Sequence, residues 1–146
     1  MKKSASIIKT KSNYWIYSQS KTTDGVWIAS VPFFKSPLNV LFSELIEKLF
    51  SALDKSGNVV PHPKDLKLFD EFFSKNLEIK SKKAFYSGAK CCEVAQDNDE
   101  ISLLPTINIG NKGRFDHLPS SEIVVSCLDD NQVIYDAVQE AFDKCG

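Results

Sequence analysis

Residues 108–119, NIGNKGRFDHLP, place the chain's only arginine, Arg114, next but one to Asp116 and close to His117, one of two histidines. A guanidinium, a carboxylate and an imidazole held together can bind a phosphate or move a proton. The spacing argues against that use. Neither the G-x-x-x-x-G-K-[ST] nor the G-x-G-x-x-G pattern is present. Gly110-Asn111-Lys112-Gly113 reads instead as a tight turn whose glycines and asparagine tolerate positive φ. Asp116 and His117 are adjacent, so in an extended chain their side chains point apart. No serine or cysteine stands at a recognisable nucleophile elbow. His62 lies between Pro61 and Pro63, where a rigid turn accounts for it. A small phosphoester-processing enzyme remains the second functional reading, with His62 or His117 in a cleft with Arg114, or with both histidines if folding joins them. Nothing has H-x-x-x-H spacing, which argues against a dedicated metal site. No cofactor is expected.

Carboxylates offer a different chemistry. Asp97, Asp99 and Glu100 cluster on the QDNDE turn, and Asp129 and Asp130 on a later one. A catalytic Mg²⁺ needs a substrate charge and a dry ligand arrangement that a solvated turn does not supply. The simpler use is recognition. Carboxylates on turns, reinforced by Asp116 and Glu122, can imitate the spacing of phosphates and engage lysines or arginines of a partner. The charge distribution points the same way: residues 1–90 carry 15 lysines against 8 acids, and residues 91–146 carry 3 basic residues against 11 acids. An acidic surface attracts a basic partner and speeds its encounter. Direct nucleic-acid binding fits poorly, since the early lysines 2, 3, 9, 11 and 21 stand in a chain of net charge −1 with a single arginine. Exposed aromatics such as Tyr86 or Tyr135 are further candidates for a protein contact.

At 146 residues the chain fits one domain, 1–146, able to bury a core without disulfides. A hydrophobic share of 42% with 25% charged residues excludes a disordered or fibrous chain. Cys91, Cys92, Cys127 and Cys145 include no C-x-x-C pair, and the start, MKKSASIIKTKSNYWIY, lacks the apolar run of a secretory leader. These features predict reduced thiols and a cytoplasmic protein, with no membrane span.

The elements that must position these residues follow from periodicity. Residues 5–18 and 25–31 read as strands joined at the Asp24-Gly25 bend, with Tyr14, Trp15, Tyr17 and Trp27 covering one end of a sheet. Ser36-Pro37 reads as a helix start, with Leu38, Leu41, Phe42, Leu45, Leu49, Phe50 and Leu53 as its apolar stripe. A second helix is expected after Pro63, burying Leu66, Phe69, Phe72, Phe73 and Leu77. KKAFYS, AKCCEVAQ, ISLLPTINI and EIVVSCL read as strands, the third interrupted or bent at Pro105, and Asp129 as the cap of a closing helix lined by Val133, Ile134, Ala137, Val138, Ala141 and Phe142. Strands flanking helices without a regular βα repeat predict an α/β protein of the α+β kind, with a mostly antiparallel sheet and about three helices.

Three stretches together resemble a known family. GVWIASVPFFKSPLNVLFSELIEKLFSALDKSG (25–57), VPHP (60–63) and VVSCLDDNQVIYDAVQEAF (124–142) are similar to the immunity proteins of bacterial contact-dependent growth inhibition systems, over about residues 5–144. The resemblance implies a cytoplasmic protein without enzymatic activity that binds and neutralises the C-terminal toxin domain of a cognate effector; a monomer or weak dimer is expected. Toxins of that kind are often nucleases, and the acidic C-terminal half of this chain predicts a basic one. Partners are recognised in that family through variable surface residues, so the toxin-binding candidates Asp97, Asp99, Glu100, Asp116, Glu122, Asp129 and Asp130 rest on charge and turn position alone.

Overall fold

The N-terminal stretch that reads as one strand folds as two, β1 (Lys2–Lys9) and β2 (Asn13–Lys21). Thr10 closes the turn between them: its N–H donates to the Asn13 carbonyl at 2.9 Å and its hydroxyl accepts from the Asn13 N–H at 3.1 Å. The computed structural model describes residues 2–146. The expected bend at Asp24-Gly25 is present, with Gly25 at φ 83°, and leads into β3 (Trp27–Pro37). This strand is longer than expected and absorbs Ser36-Pro37. Ser36 pairs with Tyr14 across β2 and β3, so helix α1 begins only at Phe42 and runs to Lys55. Strand pairing here overrides a local helix-start signal. Leu38, Leu41 and Phe42 are consequently exposed, and the buried stripe is Leu45, Ile46, Leu49, Ala52 and Leu53.

Helix α2 (Leu66–Asn76) follows Pro63 as expected, and the Asp65 carboxylate caps it by accepting from the N–H groups of Lys67 and Leu68. Its predicted buried side is only partly used. Leu66 and Phe72 are exposed, Phe73 is partly buried, and Leu77 just beyond the helix is fully buried. KKAFYS is a short helix, α3 (Lys82–Tyr86), rather than a strand, which raises the helix count above the expected three. The Ser81 hydroxyl accepts from the Ala84 N–H at 3.2 Å, a local cap that outweighs the strand preference of Phe85 and Tyr86.

The remaining elements are β4 (Lys90–Asp97), β5 (Glu100–Ile109), β6 (Arg114–His117), a 3₁₀ turn at Pro119–Ser121, β7 (Ile123–Ser126) and α4 (Asn131–Asp143). Pro105 does not end β5 but divides one edge of it. β7 pairs with Glu100–Leu103 and β6 with Thr106–Ile109, so the residue that lacks an N–H donor falls between two partners. Asp129 is not the cap of α4. Asp130 occupies that position, while the Asp129 carboxylate accepts from the Ser126 N–H at 2.9 Å in the preceding turn.

These strands form one antiparallel sheet in the order β3-β2-β1-β4-β5-β6, with β7 also on β5. The two faces are covered unequally. On one, Ala5, Ile7, Tyr14, Ile16, Cys92, Val94, Ile101 and Leu103 meet the buried stripes of α1 and α4 in the main core. On the other, Ile8, Trp15, Tyr17 and Cys91 pack against Leu77, Ala89, Phe73 and Phe85 from the region of α2 and α3. That second cluster covers only part of its face. Among the described residues no helix is long and apolar enough to cross a membrane.

Leu49 is fully buried between the sheet and α4, whereas Leu66 is largely exposed. Leu49→Ala is expected to lower unfolding stability by about 2–5 kcal/mol, and Leu66→Ala by less than about 0.5 kcal/mol, as read from urea unfolding midpoints.

Candidate functional site

Side chains alternate between the faces of a strand, so the uncovered part of the second face presents every other residue of four strands. From β1 come Lys2 and Ser4; from β2, Gln19; from β4, Glu93, Ala95 and Asp97; from β5, Glu100, Ser102 and Leu104. With Trp27, His117 and Glu122 at its margins, this surface forms a cleft of about 650 Å³. Four carboxylates line it (Glu93, Asp97, Glu100 and Glu122), against one lysine, Lys2.

Glu93 lies on the floor. Its Oε2 accepts from the Ser6 hydroxyl at 2.6 Å, and its Oε1 from the Cys91 thiol at 3.4 Å. Ser6 in turn accepts from the Gln19 amide at 3.0 Å, and Gln19 accepts from the Ser4 hydroxyl. This chain of neutral donors holds the carboxylate in one orientation. Among the described residues no lysine, arginine or histidine nitrogen lies within 4.0 Å of it. Burial pushes the Glu93 carboxyl above its ordinary range, an effect that the bonds from Ser6 and Cys91 and the more distant His117 only partly oppose. Burial also raises the Cys91 thiol, which is therefore not an activated nucleophile.

The acidic candidates sort by place. Asp97, Glu100 and Glu122 line the cleft. Asp99 and Asp129 stand at the same end of the sheet, where the Asp99 carbonyl accepts from the Cys127 N–H at 2.7 Å and Asp129 holds the Ser126 N–H. Asp130 follows at the start of α4. Asp116 is separate: it faces the opposite side of β6 from His117 and makes a bidentate pair with Arg114 at 3.0 and 3.2 Å.

The Arg114, Asp116 and His117 trio is thus divided, with only His117 at the cleft. The loop that precedes it is structural. Gly113 has φ +99° and a Cβ there would lie 3.0 Å from the Tyr86 ring, while the Asn108 amide donates to the Tyr86 and Ala89 carbonyls at 2.9 Å. Tyr86 is accordingly buried and presents no exposed anchor; Tyr135 packs partly against the main core. His62 shares a hydrogen bond with Thr22 at 3.1 Å beside the β2–β3 turn. It does not line the cleft at which His117 stands. The two histidines do not meet.

Glu93 was not among the acids singled out by turn position. Its signal lies in AKCCEVAQ, where a single charge interrupts an apolar strand and falls on the same face as Cys91.

The profile of the CDI immunity protein family (CdiI) matches residues 3–145. The chain belongs to this family. Two solved structures share the fold of this CDI immunity protein. A protein of unknown function from Neisseria meningitidis superposes with TM-score 0.82 at 14% identity, covering 100% of this chain and 96% of that one. A CdiA-CT/CdiI toxin and immunity complex from Yersinia pseudotuberculosis contains a chain that superposes with TM-score 0.79 at 16% identity, covering 100% and 98%. A comparison with curated proteins finds no match.

The raised Glu93 carboxyl carries a stability consequence. A carboxyl whose folded pKa exceeds its unfolded value favours folding most below the unfolded pKa, and that contribution is lost as pH rises through the folded one. Glu93→Gln is therefore expected to stabilise the immunity protein at pH 7 and to remove a decline in stability that sets in as pH rises above the ordinary glutamate range. Urea unfolding of both proteins across that rise checks it, and an unchanged pH profile would contradict it.

Proposed function

We propose that this CDI immunity protein binds the C-terminal toxin domain of its cognate effector and neutralises it without turnover of its own. The match to the immunity family over nearly the whole chain carries this reading. A structural neighbour that is itself part of a toxin and immunity complex agrees with it.

The finer reading concerns the toxin. A nuclease must hold phosphates, and its cleft is therefore basic. The carboxylates Asp97, Glu100 and Glu122, with Asp99, Asp129 and Asp130 at the adjoining sheet end, offer such a cleft a set of fixed negative charges. We infer a basic nuclease as the partner, engaged one-to-one by a monomer through this acidic face, in the cytoplasm where reduced cysteines persist. Asp116 lies outside this face and is already paired with Arg114. The enzyme reading finds no support in the arrangement of His62, His117 and Arg114.

The decisive experiment is calorimetric titration of the cognate toxin domain into wild type and into the triple variant Asp97→Lys/Glu100→Lys/Glu122→Lys. The variant is expected to bind more than about tenfold more weakly, mainly through a slower and less salt-dependent association, with its thermal unfolding retained. Asp116→Lys, the control, is expected to bind within about twofold of wild type. Equal binding by the triple variant would overturn the acidic-face reading and leave the immunity function standing.

A further inference from the structure

We propose that the cleft on the open part of the sheet is a socket for one lysine or arginine side chain of the toxin, which pairs there with Glu93. This rests on the immunity reading and names the anchor within it. Three observations carry the inference. The first is position: Glu93 sits on the cleft floor between Ser6 on β1 and Leu104 on β5, in the interior of the sheet rather than on a turn. A carboxylate at such a place costs stability unless it is paired with a cation. The second is its partners. Both of its donors, Ser6 and Cys91, are neutral, so its charge is oriented but not balanced.

The third is the shape and lining of the space above it. A cleft of about 650 Å³ readily holds a long side chain. Leu104, Ala95 and Trp27 offer apolar walls for a methylene stem, and Asp97, Glu100 and Glu122 make the mouth negative. A cation entering would thus be drawn in by the rim and desolvated against the floor, where its attraction to Glu93 is least screened. An anion would meet four carboxylates, and an apolar side chain would leave Glu93 unpaired. The charged and titratable groups facing Glu93 are Tyr17 from β2, Cys91 from β4 itself, His117 from β6, and Lys2, Asp97, Glu100 and Glu122 around the cleft. None of them supplies the missing ion pair.

The test has two arms. In the first, side-chain carboxyl signals of the full chain are followed by NMR while Nα-acetyl-arginine methylamide is added, with the norleucine compound as control. The arginine compound is expected to shift the Glu93 signal and lower its titration midpoint, and to bind more tightly as pH rises through that midpoint, because the protonated acid cannot pair. The norleucine compound is expected to do neither, and Glu93→Gln to abolish the response. A Glu93 signal indifferent to the arginine compound would overturn the socket.

In the second arm, the cognate toxin domain is titrated into wild type and Glu93→Gln. The variant is expected to lose more than about tenfold in affinity, chiefly by faster dissociation, while its fold is at least as stable as wild type. A merely structural glutamate would instead show reduced stability on replacement. If the toxin binds both proteins within about twofold, the socket is wrong and the immunity reading stands. If it fails to bind wild type, the immunity reading falls and the socket as a toxin anchor falls with it, whatever the small probe does.

Discussion

The rest of the structure depends on the register of β1, which is paired along its whole length with β4 on one side and from Ser4 to Lys9 with β2 on the other. Ser6 stands opposite Tyr17 in one pairing and Glu93 in the other. That alignment assigns Ile7, Ile16 and Cys92 to the face under α1 and α4, and Ser6, Tyr17 and Glu93 to the opposite face. A slip of one residue in β4 would carry Glu93 into the helix-covered core and Cys92 out of it. The apolar side chains needed by α1 and α4 thus determine where the carboxylate must stand. The hydrophobic core and the candidate binding face are two consequences of one alignment.

The second face is then divided by what covers it. α2 and α3, approaching from one end, bury Ile8, Trp15 and Tyr17 beneath aromatic side chains, with Tyr17 stacked on Phe33 and edge-on to Phe73. Beyond that cover the same strands must meet water, and there they carry serine, glutamine and carboxylates. The uneven charge of the sequence acquires a spatial meaning here. The acid-rich C-terminal part supplies β4, β5 and β7, and with them most of the open cleft, while α2 and α3 bring lysines to the opposite end. The cleft end therefore carries a net negative field, with Lys2 of the basic half standing among its carboxylates and opposite Asp97 of β4. For a CDI immunity protein such a field bears on how quickly a toxin is met, while buried anchors bear on how long it is held.

Several errors in the linear reading share one cause. Ser36-Pro37 has the composition of a helix start and KKAFYS that of a strand, yet the first is held in β3 by pairing with β2 and the second is turned by the Ser81 cap. Asp129 resembles a cap because it precedes a periodic helix, but its carboxylate is taken by the Ser126 N–H one turn earlier. In each case local composition was correct about which residues can form a cap or a strand and silent about which partner claims them. The loop at Gly110–Gly113 went the other way. Its glycines and asparagine were enough to identify a turn, and Gly110, Asn111 and Gly113 all take positive φ.

By itself the sequence determined the α+β class, the antiparallel sheet, the buried Leu45, Leu49 and Leu53 of α1 and Ile134, Ala137, Val138, Ala141 and Phe142 of α4, though not the exposure of Leu38, Leu41, Phe42 and Val133, and the absence of a phosphate-loop motif, because these depend on short-range periodicity and turn chemistry. Its landmarks also carried the likeness to the immunity family. Only the tertiary structure decided that Asp97, Glu100 and Glu122 share a cleft, that Asp116 turns away to Arg114, that His62 and His117 lie apart, and that Glu93 occupies the floor. Those facts depend on strand order and register across residues far apart in the chain, and on how much of a sheet face the helices leave open to water.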